Sequence, residues 1–205
     1  MTQALCVVEG EAEGPVLVLT EGLSFWGGVD AASGIVIDAH HPMKGQALAG
    51  RIVLMPTSRG SCTGSGVLLE LALNGHAPAA LVFREAEDIL TLGALIAGRM
   101  FGRPLPVLRL GAGDYAALAQ AGRARITPGR LAAVGIDLPL VPLALDGLAL
   151  TEADRAMLAV AEGAAVQRAM EMICTMAAAQ GAARLTDITR AHIDGCIYAS
   201  PANLQ

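Results

Sequence analysis

Apolar positions along this chain gather into short β-rich runs before they give way to helical spacing. Cys6-Val7-Val8 and Val16-Leu17-Val18-Leu19 flank the acidic, glycine-bearing stretch from Glu9 to Pro15, which predicts extended structure over 6–20. Gly34-Ile35-Val36-Ile37-Asp38 predicts another strand, and Arg51-Ile52-Val53-Leu54-Met55 a third, stopped by Pro56. After a run of small polar residues at 57–66, Val67 to Asn74 suits a short helix with Asn74-Gly75 as its stop. Ala79 to Phe83 reads as a strand and Ile89 to Ala97 as a second helix. Leu105-Pro106-Val107-Leu108 reads as a short strand, placed at an edge because of its proline. Ala124 to Leu131 and Leu138 to Leu143 close the region as irregular β segments.

The pattern changes near Asp146. Thr151-Glu152-Ala153-Asp154 resembles a capping box, and Met157, Leu158, Ala161, Ala165, Ala169, Met172, Ile173 and Met176 then recur at helical spacing up to Gln180-Gly181. Arg184 to Ile188 resembles a strand. One long helix and one strand cannot enclose a core, so 151–205 is expected to open a larger domain, while 1–146 forms a unit of its own. The helix carries apolar residues on more than one stripe, and that surface calls for a cover.

Composition narrows the class. Hydrophobic residues make up 54% of the 205 and charged residues 16%, which excludes intrinsic disorder and leaves an α/β protein with a sizeable core. A net charge of −5, no basic patch and few aromatic side chains argue against nucleic acid as a partner. The N-terminus has no basic segment of a signal peptide. The apolar stretch 131–150 is broken by Asp137, Pro139, Pro142 and Asp146, so no membrane span is expected. Cys6, Cys62, Cys174 and Cys196 share no framework spacing, as expected of reduced thiols in the cytoplasm.

Four stretches could carry chemistry. The loop at 57–66 leaves a strand and enters a helix, where main-chain amides and the positive end of a helix dipole meet an anion. Glycines at 60, 64 and 66 permit close approach, and Ser61, Thr63 and Ser65 add hydroxyls; an ordinary Ser/Thr N-cap is the alternative. Phe25-Trp26-Gly27-Gly28 could wall a pocket, but the single Trp is expected to plug the core beneath a turn. His40 and His41 are neighbours that would face opposite ways, so a loop role is expected in place of a shared metal. His192, Asp194 and Cys196 alternate as three ligand types on one strand face, short of the four close ligands of a structural site.

These residues carry a family resemblance. Leu23-Ser24-Phe25-Trp26-Gly27-Gly28-Val29-Asp30, followed by Gly34, Asp38, His41-Pro42, Gly45, Leu48 and Gly50, resembles the small swivel subunit of aconitase X. Pro56 to Ser65 is similar to that family's Gly-Arg-Gly-Ser-Ser-x-Gly-Ser loop, with Ser58 for the usual Gly and Cys62 for the usual Ser. Residues 151–205, notably Asp187-Ile188-Thr189 and Ala191 to Cys196, are similar to the start of the large catalytic subunit.

The resemblance implies a swivelling β/β/α domain at 1–146, then a long helix and the opening of a larger α/β domain at 151–205. It implies a hydro-lyase acting on a small hydroxy acid: cis-3-hydroxy-L-proline, giving Δ1-pyrroline-2-carboxylate, in fused bacterial members, or mevalonate 5-phosphate in archaeal two-subunit members. It assigns the base to Ser65, substrate contacts to Arg59, Ser61, Thr63 and Gly64, and the opposite wall to His192 and Asp194. An iron–sulfur cluster would serve as Lewis acid, held by cysteines outside this stretch. The loop amides and helix N-terminus would stabilise Ser65 as an alkoxide. Activity would then require the rest of the large domain. The alternatives are a non-catalytic regulatory module and a phosphohistidine swivel using His40 or His41.

Overall fold

The computed structural model describes residues 4–143, together with the isolated Thr175. The elements run β1 (Leu5–Val8), β2 (Ala12–Val18), β3 (Ile52–Met55), α1 (Gly64–Asn74), β4 (Ala80–Phe83), α2 (Ile89–Phe101), β5 (Val107–Arg109) and α3 (Ala112–Leu118). β6 (Arg123–Thr127), β7 (Arg130–Ala133), β8 (Ile136–Pro139) and β9 (Val141–Pro142) complete the described chain. The long helix and strand expected at 151–205 lie outside the described residues. The chain divides into one compact unit at Met1–Leu143 and a second at Ala144–Gln205.

The nine strands form one sheet in the order β8-β7-β6-β2-β3-β4-β5-β1-β9. Its middle is parallel: β2 pairs with β3, β3 with β4 and β4 with β5. Helices connect β3 to β4 and β4 to β5, as parallel pairing requires. β3 and β4 are buried at every position, which is why their sequences read as unbroken apolar runs without alternation. Ile52, Leu54, Ala80, Val82 and Leu108 share a cluster with Tyr115 and Leu118 of α3 and with Ile126 and Leu131 of the antiparallel strands. The intervening Val53, Met55, Leu81 and Phe83 point to the other face and are also buried.

β2 belongs to both kinds of sheet. Ala12 to Pro15 pair antiparallel with β6, and Val16 to Val18 pair parallel with β3.

Three expectations need correction. Residues 34–38 form no strand; Val29–Val36 and Ile35–Ala47 are isolated bridges within a looped connection. β5 is interior, flanked by β4 and β1, because Pro106 precedes the strand and so removes no donor from it. The segments after 122 are a regular antiparallel meander of β6, β7 and β8. Helix α3 carried too short a periodic run to be read in advance.

Candidate active site

Parallel strands leave the sheet at one end, so the connections after β2, β3 and β4 meet there, the usual place for a ligand in such sheets. The connections after β2 and β3 touch through glycines. A side chain at Gly22 would strike the Thr57 carbonyl oxygen at 2.7 Å, and one at Gly60 would strike Ser24 Oγ at 2.3 Å. Gly60 also has a φ of +100°, so both space and backbone demand glycine there. The Arg59 amide donates to the Leu23 carbonyl at 3.4 Å. From the third connection, the Arg84 and Glu85 amides donate to the Pro56 carbonyl at 3.2 and 3.0 Å.

Arg59 is half-exposed, with its guanidinium 3.6 Å from both Glu21 and Asp38. The His40 amide donates to Asp38 at 2.9 Å, and this bond, with help from Arg59, holds the Asp38 carboxyl below the usual carboxylate range. The arginine is thus oriented by acids on two sides while its surface stays open to solvent.

The small-residue loop tightens into α1 through its own hydroxyls. Ser61 Oγ accepts from the Thr63 amide at 3.2 Å and lies 3.0 Å from Thr63 Oγ1. Ser65, on the first turn of α1 and partly exposed, donates its hydroxyl to the Cys62 carbonyl at 2.7 Å. Ser61 and Thr63 are exposed, whereas Gly64 is buried, and a side chain there would come within 3.2 Å of Ile89 and 3.7 Å of Phe25. Gly64 therefore faces packing.

The amides expected to stabilise an ionised Ser65 are partly spent within the turn itself. Those of Gly64, Ser65 and Gly66 donate to Ser61, Cys62 and Thr63 carbonyls at 2.9, 3.1 and 3.0 Å. Those of Gly60, Ser61 and Cys62 make no hydrogen bond among the described residues and are the donors left to meet an anion. Thr63 is the N-cap by position but makes no side-chain cap bond. His192 and Asp194 lie outside the described residues.

Trp26 is 60% exposed and Phe25 is 1% exposed, so the plug beneath this turn is the phenylalanine and the tryptophan lies on the surface. His40 is exposed in a turn and His41 is 3% exposed, with Nδ1 accepting from the Met43 amide at 3.1 Å. A phosphohistidine needs an exposed, helix-capping histidine, and neither caps one of the described helices.

Glu87 escaped the sequence reading. It is buried, and its carboxylate accepts from the Ser58 hydroxyl and from the Leu90 and Thr91 amides at 2.7 and 2.9 Å. Burial pushes its carboxyl above the usual glutamate range, against these hydrogen bonds, which pull it down. An acidic residue just ahead of an apolar helix was the available signal.

The described residues do not fit an iron–sulfur cluster. No group of three or more His, Cys, Asp or Glu is placed to hold a metal among them. Cys62 is exposed and alone, and burial, with the Glu9 charge adding to it, pushes the Cys6 thiol up to about 11. No described helix is long and apolar enough to cross a membrane.

The family model "Aconitase X swivel domain" matches residues 1–134, and "Aconitase X first domain" matches 147–205. The chain is 50% identical to cis-3-hydroxy-L-proline dehydratase of Pseudomonas aeruginosa, over 97% of its own length and 35% of that protein's. It is 44% identical to the enzyme of the same name from Hypocrea jecorina, with the same coverage. It is 46% identical to the phosphomevalonate dehydratase small subunit of Methanothermobacter thermautotrophicus, over 48% of this chain and 76% of that one. Among solved structures, aconitase X of Thermococcus kodakaraensis in its holo-form superposes with a TM-score of 0.53 at 36% identity, covering 60% of this chain and 88% of that one. The chain spans about a third of the length of the two hydroxyproline dehydratases it matches.

Proposed function

Because the chain belongs to the aconitase X family, we propose that it supplies the swivel part of a hydro-lyase that converts cis-3-hydroxy-L-proline to Δ1-pyrroline-2-carboxylate. The reaction removes the proton alpha to the carboxylate and expels the neighbouring hydroxyl as water; the enamine so formed tautomerises to the imine. Ser65 is the base in this reading. The observation that carries it is the position of Ser65 on the first turn of α1, partly exposed, at the sheet end where three connections meet. Its proton is held by the Cys62 carbonyl, an acceptor that would repel an alkoxide. Ionised Ser65 must therefore exchange that contact for donors, and the loop keeps the Gly60, Ser61 and Cys62 amides free. Arg59 pairs with the substrate carboxylate, and Ser61 and Thr63 offer hydroxyls to it.

The cluster expected from the resemblance would help the hydroxyl depart and would be held outside the described residues, so the share of this stretch is proton abstraction and positioning. The chain spans 35% of the Pseudomonas aeruginosa enzyme, and in this reading the rest of a large catalytic domain or subunit serves as its partner. The thiols of Cys6 and Cys62 are free, in keeping with a cytoplasmic enzyme. The match to the phosphomevalonate dehydratase small subunit supports a second substrate, mevalonate 5-phosphate, but it reaches only 48% of the chain. Similarity to the hydroxyproline enzyme runs through both units.

Ser65→Ala in the complete protein tests the reading. Turnover of cis-3-hydroxy-L-proline should fall by roughly 10²–10⁴-fold, the range a positioned base supplies, with unchanged circular dichroism. Turnover at the wild-type rate would remove Ser65 from the chemistry.

A further inference from the structure

The loop that carries Arg59 and Ser65 is held at both ends by one helix. At its start, the Ser58 hydroxyl donates to Glu87 Oε1, which also accepts from the Leu90 amide at 2.7 Å. Glu87 Oε2 accepts from the Thr91 amide at 2.9 Å and the Thr91 hydroxyl at 2.8 Å. The carboxylate is thereby bound into the first turn of α2, and the Thr91 hydroxyl also lies 2.8 Å from the Glu87 carbonyl. At the loop's end, Gly93 of α2 meets the backbone of Ser65. A side chain at Gly93 would lie 2.6 Å from the Ser65 carbonyl oxygen and 3.2 Å from its Cα.

We propose that Glu87 is a positioning residue for the reaction. Through Ser58 it fixes the entry of the loop to α2, while Gly93 seats Ser65 on the same helix, so Arg59 and Ser65 keep a constant separation. Ser58, where the loop departs from the family pattern, acquires a role as the hydroxyl that closes this clamp. The inference rests on the reading of Ser65 as base and Arg59 as substrate contact. A carboxylate serving only to start α2 would need the two amides and Thr91; the bond to Ser58 reaches 29 positions back in sequence and does nothing for the helix.

The test uses the complete protein with Ser58→Ala, Ser58→Thr, Glu87→Gln and the Ser58→Ala/Glu87→Gln double variant. Ser58→Ala should lower kcat/KM for cis-3-hydroxy-L-proline about tenfold, the worth of one hydrogen bond to a charged group, and Ser58→Thr should restore it. Hydrogen exchange should quicken over 57–66 in Ser58→Ala and stay unchanged in β3 and β4. The double variant should be no worse than Glu87→Gln; if Glu87→Gln fails to fold, the Ser58 pair alone decides. Unchanged exchange overturns the proposal. So does quickened exchange with wild-type turnover, in a protein that Ser65→Ala inactivates. If Ser65→Ala stays active, the proposed function fails on its own account, and the exchange of 57–66 still decides whether Glu87 grips the loop.

Discussion

Asp38 shows how a single side chain sets the charge of the site. Its carboxylate receives the His40 amide and lies beside the Arg59 guanidinium, and both favour the ionised form. A carboxyl held below its usual range stabilises the fold above the ordinary aspartate range and loses that contribution as pH falls through the depressed value. Wild type should therefore melt above Asp38→Asn at neutral pH, and the gap should close as melts are repeated at lower pH through the aspartate range. A gap independent of pH would show that the carboxylate does nothing for Arg59. At this scale the sequence was partly legible. The loop glycines and hydroxyls announced themselves by crowding between a strand and a helix, whereas Arg59 gained its role only from the family resemblance. Their hydrogen-bond partners did not, because whether the Gly64 amide meets a ligand or the Ser61 carbonyl depends on a turn geometry that no spacing encodes.

The helices and strands were more readable than their neighbours in space. The apolar runs at 52–55 and 80–83 declared themselves as strands, though not their parallel pairing, and Gly75, at a φ of 77°, ended α1 as expected. Order within the sheet was hidden: Pro106 suggested an edge, yet β5 pairs on both sides with the proline one residue outside it. Packing between α1 and α2 was equally silent. It depends on the missing side chain of Gly93, where a methyl would press on the Ser65 carbonyl at 2.6 Å. Gly93→Ala should cost about 1–3 kcal/mol, as overpacking does, despite the better helix propensity of alanine. Chemical denaturation of the complete protein would record this, and kcat should fall with it because the displaced group is the backbone of residue 65. Equal stability would mean the two helices separate at no cost.

For the molecule as a whole, the swivel-domain match ends at residue 134 and the first compact unit at Leu143. The helical pattern expected beyond it falls outside the described residues. Within the first unit, β2 is the shared member: it lends four residues to the meander and three to the parallel strands. That makes it a spine joining two fabrics. A version cut after Leu118 would take Ile126 and Leu131 out of the shared core and strip the Ala12–Pro15 stretch of its partner, leaving a bare selvedge that recruits like strands. Such a fragment should elute from size exclusion as soluble aggregates, whereas one ending at Leu143 should run as a single small species.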